Sequence, residues 1–218
     1  MLKSIQKGFT LIELIIVITI LVLLGVVVVV LIDPAEILAQ SRDSQRISDL
    51  ASLKGATQLT LAAGVPSTSF CYSTNPPETT SNATSTNADT SQIFSSLTAG
   101  LTTGSGSPGY NWTASTTAQS VTGTGWIQIN YTTPSTGRAL SNLPIDPTNT
   151  LASGYFYRWG CNYNGSLYQY EVDARLESAK YKAGCTASGC DDKASKDGGN
   201  SSVRYEAGNN LNVLPLAP

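Results

Sequence analysis

Lys7-Gly8-Phe9-Thr10-Leu11-Ile12-Glu13-Leu14 opens an apolar run that reaches Ile32 with Glu13 as its single charge. At about 1.5 Å per residue, Phe9–Ile32 makes a helix roughly 36 Å long, enough to cross a bilayer core of about 30 Å with some tilt. An ionised carboxylate inside such a helix costs on the order of 2.5–3.5 kcal/mol. Glu13 therefore needs a partner. Were the chain cut after Gly8, the new α-amino group of Phe9 would be a cation at similar depth. In a set of staggered helices, one copy's Glu13 neutralises another copy's Phe9 amine.

Lys3 and Lys7 precede the run, so the positive-inside rule places the N-terminus in the cytoplasm and the C-terminal bulk outside. The apolar run is longer than the core of a secretory signal peptide, and no clear A-x-A site follows it, so the helix is expected to stay with the mature protein.

A short basic leader ending in Lys7-Gly8, then Phe9-Thr10-Leu11-Ile12-Glu13-Leu14 and an apolar helix, resembles the class III signal of type IV pilins and pseudopilins. The resemblance implies loss of leader 1–8 by prepilin peptidase cutting after Gly8, N-methylation of Phe9, and polymerisation through helix 9–32 with Glu13 setting register. It implies an α+β fold: a long N-terminal helix, transmembrane in its first half, packed on a small antiparallel sheet with extended loops. Its expected partners are membrane lipid, prepilin peptidase, the inner-membrane assembly machinery and further copies of itself in a filament. The precursor is expected as a single-pass membrane protein and the assembled form as an extracellular filament.

The chain has 218 residues and a formal net charge of −2. With Lys3 and Lys7 gone the remaining side chains sum to −4, so nucleic acid is not expected as the main partner. The soluble remainder suits one domain. There is no histidine, which removes the commonest general base and metal ligand. Nor is there a nucleophile elbow, phosphate-binding loop or dinucleotide fingerprint. Neither catalytic nor cofactor-binding residues are expected.

After Ile32, Asp33-Pro34 predicts a kink or helix restart, because Pro34 lacks an amide hydrogen and Asp33 can cap the next turn. Residues 33–64 form an amphipathic continuation, with Ile47, Leu50, Leu53, Thr57 and Leu61 recurring at intervals of three and four. Gln40–Asp49 is strongly polar, with Asp43/Arg46 and Arg46/Asp49 three apart, and reads as a solvated or subunit-facing surface.

Residues 65–218 read as the extracytoplasmic head. Within it, 67–125 is Ser/Thr-rich and mostly loop, with a short helix near Gln92–Ala99 and sequons at Asn82 and Asn111; Asn164 and Asn200 open further sequons later in the chain. The sheet is expected over 126–176. Trp126–Tyr131 alternates like a strand, and Asn164-Gly165 reads as a two-residue hairpin turn. Pairing Tyr163 with Ser166 then sets Cys161 opposite Tyr168 and Trp159 opposite Tyr170. This apolar face should meet helix 47–61, leaving the polar face, with Arg158 opposite Glu171, to solvent.

Four cysteines in an exported domain suit two disulfides: Cys185 with Cys190, near in sequence, and Cys71 with Cys161. Spacing alone allows three pairings, and a thiol metal site or reactive cysteines are the alternatives. Asp191, Asp192 and Asp197, with Asn200 and Glu206, are candidate calcium ligands in a glycine-rich tail, although their spacing fits no defined calcium loop.

Overall fold

The computed structural model describes residues 8–64, 93–97, 112–114, 117–132, 139–163, 167–186 and 188–215. These form two compact units, Met1–Ala39 and Gln40–Pro218.

In the first unit, α1 runs over Leu11–Ile32. It ends at Asp33, whose φ of 45° takes the left-handed conformation that closes a helix. The Asp33 side chain then accepts a hydrogen bond from the Glu36 amide (3.4 Å), so the residue that stops α1 also starts α2, Pro34–Ala62. The predicted restart is present and occupies a single residue.

From Gln40 onward α2 belongs to the second unit, where Leu50, Leu53 and Ala56 enter the main core. The sheet has five strands: β1 (Ile93–Ser95), β2 (Trp112–Ala114), β3 (Arg158–Tyr163), β4 (Tyr168–Ala174) and β5 (Tyr205–Gly208), in spatial order β2-β1-β3-β4-β5. The β1, β3, β4 and β5 pairings are antiparallel, and β2 joins the edge in parallel with β1. The architecture is α+β and pilin-like.

Two expected elements differ. Residues 93–95 form a strand where a short helix was predicted. Phe94 enters the main core and its neighbour Ile93 a second cluster, an alternation that only an extended chain provides. Residues 126–131 do not form a strand. Trp126, Ile127, Ile129 and Tyr131 are all buried, but 126 and 127 are consecutive, so the segment wraps the core instead of alternating across it. It is stitched to 118–121 by Trp126 N–H donating to Ala118 O (3.1 Å) and Tyr131 N–H to Val121 O (2.9 Å). Gly125 permits this approach, since a Cβ there would lie 2.0 Å from Ser120 O.

The β3–β4 hairpin forms with its register displaced by two residues. Tyr163 pairs with Tyr168, Cys161 with Tyr170, Trp159 with Val172 and Arg158 with Asp173. Four residues, 164–167, thus connect the strands instead of two; Asn164-Gly165 lies outside the described residues. An even displacement leaves every side chain on its predicted face. Trp159 and Tyr170 remain stacked, 5.2 Å between ring centroids, as a diagonal pair. Leu50, Leu53 and Ala56 pack in one cluster with Tyr157, Trp159, Cys161, Tyr170, Val172 and Ala174.

The polar face is not solvated. Arg158, Glu171, Asp173 and Glu206 are each 4% exposed or less. The segment 211–215 lies over them, with Leu214 joining Ile93, Leu97 and Phe156 in the second apolar cluster. Polar residues alternating on a strand signalled water in the sequence; here they signal a buried ionic layer.

Candidate processing and assembly site

Thr10 caps α1, and the cap is reciprocal. The Glu13 amide donates to Thr10 Oγ1 (3.3 Å), and the Thr10 amide donates to Glu13 Oε2 (3.5 Å). This capping box satisfies two of the otherwise free amides of the first turn, and the helix N-terminus favours a negative charge there. Glu13 thus has a local partner as well as the intermolecular one expected from the sequence. The signal was legible: Thr10-x-x-Glu13 before an apolar run is the capping-box spacing.

Next to this cap, Phe9 is 85% exposed, and the large apolar side chains described on α1 are each about half exposed or more. An apolar helix of this length in water would be strongly unfavourable, so its surface calls for lipid or other chains. Leu11–Val29 is long and apolar enough to cross a membrane. At Gly8, an added Cβ would meet nothing within 4 Å among the described residues.

Residues 3–31 match the family described as the prokaryotic N-terminal methylation motif. This is the class III prepilin signal of type IV pilins and pseudopilins. No curated protein and no solved structure matches the chain. The head is therefore read from its own geometry.

Within the polar stretch Gln40–Asp49, Asp43 and Arg46 face inward and are fully buried, contrary to expectation, while Ser41, Ser44, Gln45 and Ser48 are exposed. Arg46 spends all five of its N–H groups. Nε and Nη2 hold Asp146 (2.7 and 3.0 Å), Nη1 holds Asp43 (2.8 Å) and Glu177 (2.9 Å), and Nη2 also reaches Thr148 Oγ1 (3.1 Å). The guanidinium lies 4.9 Å from the Tyr155 ring centroid. Asp43 in turn accepts from the amides of Glu177 (3.0 Å) and Ser178 (2.8 Å). The expected Asp43/Arg46 pair exists; Asp49 instead accepts from the Tyr157 hydroxyl (2.8 Å). Burial pushes Glu177 up, but Arg42 and Arg46 outweigh it and hold its carboxyl below the ordinary value.

Cys185 and Cys190 are disulfide-bonded, 5.8 Å apart at Cα. Cys161 is bonded too, on the core face of β3, while its expected partner Cys71 lies outside the described residues. The three calcium candidates are each occupied separately. Asp191 pairs with Lys193 (2.5 Å) and Lys196 (3.2 Å). Asp192 accepts from the amides of Gly184 (2.8 Å) and Ser195 (3.0 Å), and Asp197 from those of Gly199 (2.9 Å) and Glu206 (2.6 Å). Among the described residues no group of three or more acidic or cysteine side chains converges on a common point.

Proposed function

We propose that this chain is a structural subunit of a type IV pilus-like filament, stored in the membrane and polymerised through its N-terminal helix. The observation that carries the reading is the coincidence of the methylation motif at 3–31 with an apolar helix whose described side chains are exposed. In this reading prepilin peptidase cuts after Gly8, Phe9 becomes the methylated N-terminus, and residues 9–32 exchange lipid for the helices of neighbours. Residues 65–218 form the outer coat, and the role is mechanical, not catalytic.

A pseudopilin of a type II secretion or competence system shares the motif and is the second reading. A minor pilin acting as an adhesin or DNA-binding tip is the third. N-terminal sequencing and mass spectrometry of material sheared from cells, compared with the membrane fraction, separates these. Abundant sheared protein beginning at N-methylated Phe9 supports the pilus subunit. Processed protein confined to the membrane favours the pseudopilin or minor subunit, and an intact leader in both fractions removes the assignment.

A further inference from the structure

The second sheet face is closed by the segment 211–215, and one carboxyl group holds that strap down. Glu171 Oε2, on β4, accepts the backbone amides of both Val213 (2.8 Å) and Leu214 (2.9 Å). Arg158 Nη2 adds a bond to Pro215 O (3.3 Å). The Leu214 and Val213 side chains fill the space over Gly160, where a Cβ would come within 2.7 Å of Leu214 Cδ2.

The other oxygen of the same carboxyl group, Glu171 Oε1, is buried and meets no hydrogen-bond donor among the described residues. A buried carboxylate oxygen that meets no protein donor is costly to hold in a protein interior. Its surroundings carry further acid. In the β4–β5 register Asp173 faces Glu206, which sets Glu206 diagonally beside Glu171 on one face. The nearby cations are engaged elsewhere: Arg158 and Arg204 both hold Asp173, and Arg204 also donates to Phe156 O (3.1 Å). Asp197 accepts from the Glu206 amide, and Glu206 Oε2 accepts from Ser201 N–H (3.0 Å). Residues 211–215 themselves carry no titratable side chain.

We propose that the strap 211–215 is a proton-coupled latch: a proton kept on the Glu171/Glu206 carboxyl pair holds the strap on the sheet, and opening the strap releases that proton. A proton on Oε1 supplies the missing donor and points it at an acceptor, while Oε2 keeps both strap amides. Burial, and then the Glu206 carboxyl, push Glu171 up to about 9, and Glu206 is raised as well. With the strap lifted, Glu171 meets water and returns to an ordinary carboxylate value of about 4.3. The closed state therefore binds one proton more than the open state between these limits, so the strap loosens as pH rises through the window.

The test is hydrogen exchange on the full chain in detergent micelles, read at the Val213 and Leu214 amides and corrected for intrinsic base catalysis. In the wild-type protein the opening constant should rise about tenfold per pH unit between pH 6 and 8. In Glu171→Gln, whose amide reproduces the protonated acid without titrating, the slope should vanish while protection at pH 6 persists. A flat wild-type profile, or an equal slope in Glu171→Gln, overturns the proposal. Should that variant not fold, isotope-edited infrared spectroscopy of the wild-type protein decides: a protonated buried carboxyl at pH 7 supports the latch, and carboxylate bands alone overturn it.

Discussion

Arg46 and Asp146 form a two-point ion pair, Nε to Oδ2 at 2.7 Å and Nη2 to Oδ1 at 3.0 Å, with both side chains fully removed from water. One hundred residues separate them. The pair fixes α2 to the segment preceding the hairpin, and Asp146 completes the junction by accepting the amides of Thr148 (2.8 Å) and Asn149 (3.2 Å). A planar fork with five donors is the only cationic side chain that matches this arrangement.

Breaking either partner leaves a buried charge unpaired. Asp146→Asn and Arg46→Met are each expected to cost about 3–5 kcal/mol. Arg46→Lys should cost nearly as much, because an ammonium cannot supply both bonds to Asp146 while reaching Asp43 and Glu177. Urea unfolding of the full chain in detergent, followed by fluorescence of the buried Trp126 and Trp159, measures this. Equal midpoints for Arg46→Lys and wild type would show that charge alone matters.

Acid should weaken the same junction. Glu177 has a folded pKa below its unfolded value, so its contribution is complete above the unfolded value of about 4.3 and is lost as pH falls through the folded one. Wild type is expected to lose stability between about pH 5 and 3 more steeply than Glu177→Gln. Parallel pH profiles of the two proteins would remove Glu177 from the account.

Gly160 gives the strap its seat. Gly160→Ala would place a Cβ 2.7 Å from Leu214 Cδ2 and 3.3 Å from Val213 Cγ1, and is expected to cost about 1–3 kcal/mol by overpacking. Adding Leu214→Ala to Gly160→Ala should return part of that loss, giving a coupling of opposite sign to the two single effects. Additive costs would mean that the two residues do not meet.

At the N-terminus, Glu13→Gln and Glu13→Ala are both expected to reduce filament assembly while leaving cleavage after Gly8 intact. The structure separates a second effect, since Glu13 also closes the cap on Thr10. Thr10→Ala removes the cap, costs the helix about 1 kcal/mol and keeps the charge. Comparing sheared and cellular protein for the three variants tells these apart: a Thr10→Ala defect as deep as that of Glu13→Gln would assign the role of Glu13 to capping.

The apolar elements were legible because their signals are local. The run to Ile32, the restart at Asp33-Pro34, and Leu50, Leu53 and Thr57 on the buried face of α2 follow from spacing alone. The sorting of hairpin residues between its two faces held despite the displaced register, since an even shift preserves the alternation. The polar residues misled because their partners are remote. Nothing near Arg46 in sequence announces Asp146 or Glu177, so three-residue spacings of charge looked like a solvated helix surface. Likewise, Arg158, Glu171 and Asp173 looked solvent-facing because the strap that covers them arrives some forty residues later.

The ties between α2 and the rest of the head are distributed along its length: Asp43 and Arg46 at one end, then Asp49 to Tyr157 OH, Lys54 O to Tyr170 OH and Thr57 to Tyr131 OH. Residues 43–57 span about 21 Å of helix. Tension delivered along the helix axis from its N-terminal end therefore loads these ties side by side, and they must yield together. A sideways pull would meet them one at a time. The second unit is thus fastened against shear along α2 and is weakest against peeling, the pattern that suits the proposed role of a subunit in a fibre under traction.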